Sequence, residues 1–175
     1  MSVFMQPLAS YTVPVGNTGN LGLANIPATY TDLLVIANFR VFSGSASTNN
    51  LYQWFNNDAS SLNTATRLWG FGSSTASNYQ TATFPSIISL VNGAGSPANT
   101  FSSVSLYIPN YTSNFAKQFI ASVGTTTNGT GQYSYRTAGK YANTVPINAI
   151  AFQNDGGGFV AGSTIDLYGI LKKGV

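Results

Sequence analysis

The sequence predicts an all-β fold, an antiparallel sandwich, and three observations carry that reading. Apolar and polar residues alternate with a period of two in one short segment after another, and no segment spaces its apolar residues as a helix would. Gly, Asn, Ser and Thr separate those segments at near-regular intervals, as turns do in sandwiches and barrels. Only 6% of the residues are charged while 13% are aromatic, against roughly 25% charged in an average soluble chain. The polar surface is therefore built from Ser, Thr, Asn, Gln and Gly, and the interior from aromatic and β-branched side chains that favour strands.

Met1 to Pro7 has no clear period and reads as an extended arm that orders against a partner, so residues 1–8 are set apart from a single domain over 9–175. Leu8 to Val15 is the first expected strand, and Pro14 makes it an edge or a strand end because proline cannot donate to a ladder. Leu21 to Ile26 is a short second strand. Tyr30 to Phe42 has the clearest alternation: Leu33, Val35, Ala37, Phe39 and Val41 share one face, and Leu34, Ile36, Asn38, Arg40 and Phe42 share a mixed one. Leu51 to Asp58 sets Leu51, Gln53 and Phe55 against Tyr52, Trp54 and Asn56. Thr64 to Phe71 is a further strand, and Ser73 to Thr83 reads as a polar loop.

Phe84 to Val91 and Thr100 to Ile108 follow, then Phe115 to Val123, where Phe115, Phe119, Ala121 and Val123 share a face with Lys117. Gln132 to Ala138 alternates Tyr133 and Tyr135 against Ser134 and Arg136. Ile147 to Gln153 and Ser163 to Leu171 flank the glycine-dense Gly156 to Gly158 and read as a closing hairpin. The last strand is apolar enough to require a place inside a sheet, with Ile165 and Leu167 on one face and Asp166 and Tyr168 on the other. The glycines lack the sequence of a phosphate loop. About ten short strands in 175 residues fit a double-sheet jelly roll best.

The chain has no Cys, His or Glu, which removes disulfides, Cys or His zinc sites, cysteine nucleophiles and Ser-His-Asp triads. The acids are Asp32, Asp58, Asp155 and Asp166. Asp58 and Asp155 sit in turns where a short carboxylate accepts local hydrogen bonds, and Asp32 and Asp166 lie on strand faces that read as wet. A glycosidase needs two carboxylates flanking a sugar bond and calcium gathers several; structural roles account for each Asp, so no catalytic, cofactor-binding or metal residue is assigned. Tyr52, Trp54 and Trp69 are candidates for a sugar-stacking platform, with core or interface packing as the alternative. Net charge is +3, but the bases are scattered and form no stripe for nucleic acid. No apolar run approaches the ~18 residues of a membrane span, and the N-terminus has no signal-peptide pattern.

Several segments together, IPATYTDLLVIANFR, FNND, LYIPNYTSNFAKQF and INAIAF followed by FVAGSTIDLYGI, resemble in this order the jelly-roll domains of tailed-bacteriophage virion proteins. Such domains occur in capsid decoration (cement), head-fibre and tail-fibre proteins. The resemblance runs from about Ile26 to Ile170. It implies a homotrimer without enzymatic activity, made in the host cytoplasm and carried on the virion, with the major capsid protein or other virion subunits as partners. Two functions follow from it. In one the protein is a cement subunit on the outer surface of the head; in the other it is a fibre module that recognises a host surface glycan or protein. The short chain, the missing stalk and the low charge favour the first, and the residues that bind remain unassigned.

Overall fold

The alternation becomes twelve strands, and no helix occurs among the described residues. The computed structural model describes residues 3–15, 19–42, 45–60, 63–81, 86–128 and 131–172. In chain order the strands are β1 (Val3–Thr12), β2 (Leu21–Leu23), β3 (Asp32–Phe39), β4 (Thr48–Phe55), β5 (Asn63–Phe71) and β6 (Ser74–Gln80). They continue with β7 (Ser86–Asn92), β8 (Ser102–Ile108), β9 (Lys117–Thr126), β10 (Gln132–Tyr141), β11 (Ile150–Asn154) and β12 (Thr164–Lys172).

The pairing is that of a long ribbon rolled into a sandwich. β1 pairs with β12, β2 with β11, β3 with β8 and β4 with β7, all antiparallel. Because consecutive members of this ribbon fall alternately in the two sheets, one sheet contains β1-β12-β3-β8 and the other is β2-β11-β4-β7. This is the jelly-roll arrangement of two interlocked Greek keys. Two hairpins are added to it, β9–β10 beside β8 and β5–β6 beyond β10, so the larger sheet reaches eight strands in the order β1-β12-β3-β8-β9-β10-β5-β6. Eight strands face four. The larger sheet therefore overhangs the smaller, and the overhang is built from the added hairpins.

The core lies between the sheets. Leu33, Val35, Ala37 and Phe39 of β3 are all fully buried, as the alternation requires, and so are Leu51 and Phe55 of β4. Aromatic rings join the layers: Phe39 meets Phe152 at 5.4 Å between centroids and Phe159 at 4.7 Å, and Phe55 meets Phe119 at 5.7 Å and Tyr141 at 5.3 Å. Position 139 in β10 faces inward by the strand's alternation, and glycine fits there because the Phe119 ring occupies the space a Cβ would need.

Three expectations are corrected. The segment assigned as an N-terminal arm, residues 1–8, is from Val3 onward the edge strand of the larger sheet, with Val3 opposite Lys172 and Pro7 opposite Tyr168. Its unclear period has a physical cause: the register shifts between Pro7 and Ala9, and such a bulge re-phases the alternation. The closing hairpin does not form, because β11 belongs to the smaller sheet and β12 to the larger. The glycines instead carry the chain between sheets, with Gly157 at φ 84° and Gly158 at φ 135°, and the crossing is stitched to the end of β3 by Phe42 N–H to Gly158 O at 2.9 Å and Val160 N–H to Arg40 O at 3.0 Å. The expected loop at Ser73 to Thr83 contains β6, paired along β5 from Phe71–Ser74 to Ala65–Gln80. Its residues are almost all exposed, so no apolar face marked it. β12 does lie inside its sheet, between β1 and β3, with Ile165 and Leu167 buried.

Candidate functional site

The overhang leaves part of the larger sheet's inner face uncovered. The β5–β10 register sets Trp69 beside Tyr135, Phe71 beside Tyr133 and Arg67 beside Thr137, and residues two apart on a strand share a face. The four rings stack one on the next: Trp69 to Tyr135 is 6.1 Å between centroids, Tyr135 to Tyr133 5.6 Å and Tyr133 to Phe71 4.4 Å, with interplanar angles of 27° or 28°. Leu90 of β7 and Asn50 of β4, opposite each other in their own ladder, supply the other wall. The result is a groove of about 190 Å³ lined by Asn50, Arg67, Trp69, Leu90, Tyr133 and Tyr135. Asn50 is held in place by Asp155, whose carboxylate accepts its backbone N–H at 3.0 Å and its Nδ2 at 2.8 Å.

Arg67 stands apart from the other bases. Arg40 donates to the carbonyls of Ala94, Ser96, Pro97 and Thr100, fixing the 93–100 loop. Lys172 pairs with Asp32 at 2.7 Å, buried Lys117 reaches Asn143 O at 3.3 Å, and Arg136 donates to Ser122 Oγ at 2.7 Å. Arg67 is half-buried, pairs with no carboxylate among the described residues, and has its Nε buried without an acceptor. Its guanidinium carbon lies 5.9 Å from the Trp69 ring centroid, the outer limit of a cation–π contact. Burial lowers its pKa, with Tyr135 and Tyr52 opposing. Burial also pushes Tyr135 up to about 12, reinforced by Tyr133 and opposed by Arg67.

No protein-family model matches the chain, and no curated protein matches it. Among solved structures, it is similar to the exoplasmic/lumenal domain of VIP36 in its Ca2+/Man3GlcNAc-bound form, at 7% identity and a TM-score of 0.31, over 99% of this chain and 86% of that one. So distant a likeness carries no argument about what this chain binds.

Of the three aromatic residues singled out from the sequence, the groove contains Trp69. Tyr52 lies close by: burial raises its pKa, the Asp155 carboxylate adds to the rise, and Asn50 and Arg67 oppose it. Trp54 is elsewhere, opposite Ala151, 7% exposed, with its Nε1 3.4 Å from Asn57 Oδ1. Sequence reading missed Arg67, Tyr133 and Tyr135 as a group. The alternation of the two tyrosines was visible, but their meeting with Trp69 depends on a register between strands about 65 positions apart.

The acids are dispersed. Asp32, expected on a wet face, is fully buried, and accepts from Tyr107 Oη at 2.6 Å and Asn110 N–H at 3.0 Å besides Lys172. It lies on the outer face as the alternation required, but the turn after β8 and the end of β12 cover it. Asp58 accepts from Ser60, from Tyr141 Oη at 2.7 Å and from Asn143 Nδ2 at 2.9 Å, and these bonds hold its carboxyl well below the usual range. Asp166 is opposite Ile36 and Ser10 on the outer face.

That outer face is the second feature of note. A continuous row crosses all eight strands, from Pro7 in β1 through Tyr168, Leu34, Tyr107, Ile120, Ala138 and Thr66 to Tyr79 in β6, with Tyr168, Leu34 and Tyr107 part-exposed. Ile120 is 38% exposed and Tyr79 63%. Half of the neighbouring row is Ser, namely Ser10, Ser105, Ser122 and Ser77, and the rest is Asp166, Ile36, Arg136 and Leu68.

Proposed function

We propose that this chain is a non-enzymatic structural protein of a tailed-bacteriophage virion, a decoration subunit that binds the outer surface of the head and stabilises it as a homotrimer. The observation that carries the reading is the uncovered outer face of the eight-stranded sheet, with its apolar row from Pro7 to Tyr79. A part-exposed strip of that length, apolar except for Thr66 and the tyrosine hydroxyls, on a chain with 6% charged residues is a surface for docking on another protein. Binding there draws on apolar area and neutral hydrogen bonds, repeated over many copies so that modest single contacts add up, and it depends weakly on salt.

The experiment is to strip the protein from capsids and add it back. Heat resistance should fall and then return, and light scattering should report three times the 18.4 kDa chain mass. Ile120→Glu, which places a charge in the middle of the row, should leave the fold intact and fail to restore heat resistance. A purified protein that stays monomeric, or capsids indifferent to it, would overturn the reading.

A second reading has its own support in the aromatic groove with its unpaired Arg67. Under it the chain is a fibre module that recognises a host surface glycan or protein. Adherence to host cells and blocked phage adsorption, with capsid stability unchanged, would favour it.

A further inference from the structure

We infer that the groove between β7 and the β5–β10 overhang binds a saccharide carrying a carboxylate, with Arg67 taking the carboxylate and the Trp69 and Tyr133 rings taking the sugar face. The inference rests on the second reading, that the chain recognises a glycan, and names the chemical class.

Three features of the groove lead to it. Its aromatic lining is Trp69 and Tyr133, both part-exposed, with the Tyr135 ring stacked between them at 6.1 and 5.6 Å and itself only 5% exposed, and a pyranose presents an apolar C–H face that packs on such rings while its hydroxyls stay at the rim. The polar groups on the walls are few and held in place, as recognition sites require: Asn50 is tied to Asp155 by two hydrogen bonds. The third feature is Arg67. A half-buried guanidinium without a counter-charge is costly, and the other buried or half-buried bases on the described surface have found acceptors. A planar guanidinium matches a carboxylate in two parallel hydrogen bonds, and because the Arg67 Nε is buried, the fork that faces the groove is the pair of terminal nitrogens. Asp155 is not part of the lining, and its carboxylate is already engaged by Asn50.

The volume of about 190 Å³ limits the deep part of the site to one sugar residue, so a longer chain would extend along the open overhang. Contact with Trp69 makes tryptophan fluorescence the natural readout, since Trp54, the other tryptophan, is only 7% exposed and does not line the groove.

The test titrates the full chain with glucuronate oligosaccharides, with the corresponding neutral glucose oligosaccharides, and with an acidic peptide, following tryptophan fluorescence and calorimetry. The glucuronate oligosaccharide should bind, with affinity falling as salt rises. Arg67→Gln should weaken it by about tenfold to a hundredfold, the size of a lost charge-assisted pair, and Arg67→Lys should fall between, because it keeps the charge and loses the fork. Trp69→Ala should weaken acidic and neutral sugars alike. Thermal melts of Arg67→Gln should match wild type, since this side chain has no ion-pair partner to lose. Equal binding of neutral and acidic sugars, or an Arg67→Gln variant that binds as wild type, overturns the assignment of a carboxylate and leaves glycan recognition standing. Peptide binding as tight as sugar binding overturns the saccharide class, and no binding of either sugar overturns both.

Discussion

Replacing Asp32 with Ala should cost far more stability than replacing Lys172, its ion-pair partner. Asp32 has no exposed surface, while the Lys172 side chain is 44% exposed. The lysine lies 2.7 Å away, but an ion pair whose cation is so open to water contributes little. The two other donors are less easily replaced by solvent: the Asn110 N–H, 3.0 Å from Oδ1, and the Tyr107 hydroxyl, 2.6 Å from Oδ2. Stranding a buried donor costs about 1–3 kcal/mol, and the half-buried tyrosine can turn toward water, so Asp32→Ala should lose about 2–4 kcal/mol in all. For a chain of this size that lowers Tm by roughly 4–16 °C. Asp32→Asn keeps an acceptor for Asn110 and should lose about 1–2 kcal/mol. Burial alone would raise the Asp32 pKa, but the bonds from Lys172, Tyr107 and Asn110 outweigh it and hold the pKa below the ordinary value. A depressed folded-state pKa means the contribution is complete above the unfolded value of about 3.9 and is lost as pH falls through the folded one. Urea unfolding of the three variants at neutral and acid pH measures all of this, and Asp32→Asn should flatten the acid limb. If Lys172→Ala proves as damaging as Asp32→Ala, the ion pair holds the site and the reasoning from the buried donors is wrong.

Other outcomes follow from the packing. Gly139→Ala should destabilise by about 1–3 kcal/mol, because the Phe119 ring that fills its Cβ position is itself packed against Phe55; Gly124→Ala, with nothing within 4 Å of the added carbon, should be near neutral, and chemical denaturation of the pair checks both. Phe55→Ala removes the ring that joins β4 to β9 and β10 and should cost about 3–5 kcal/mol, whereas Phe115→Ala, at a residue 73% exposed, should change the melting midpoint little. At high pH the sign is the reverse of the acid case. Tyr135 is pushed up to about 12 by burial, and Tyr141 is raised by burial and by Asp58, so their contribution is full below the unfolded tyrosine pKa of about 10 and declines as pH rises above it. Phenolate absorbance should show Tyr135 and Tyr141 among the tyrosines that titrate late, with Tyr52, Tyr107 and Tyr111 also raised by burial, and Tyr141→Phe should remove one of them.

Local pattern alone determined the strands whose two faces meet different surroundings. In β3 the buried and exposed residues alternate because one face meets the core, and that contrast is written in the order of residues from Leu33 to Phe39. The scarcity of charge and the absence of Cys, His and Glu were equally legible, because they concern inventory and not position. Three kinds of fact were settled only by the tertiary structure. β6 has water on almost every side chain, so nothing in its sequence distinguishes it from a loop, and it is a strand because β5 offers it a ladder. β11 and β12 look like a hairpin in sequence, yet the core between the sheets is closed by sending them to opposite sides of it. The groove depends on both effects. Trp69 and Tyr135 become neighbours through the β5–β10 register, and Trp69 stays part-exposed because eight strands overhang four. Alternation tells which way a side chain points from its own strand, but the partner strand and the layer above it are chosen by long-range packing energy, which a local pattern does not encode.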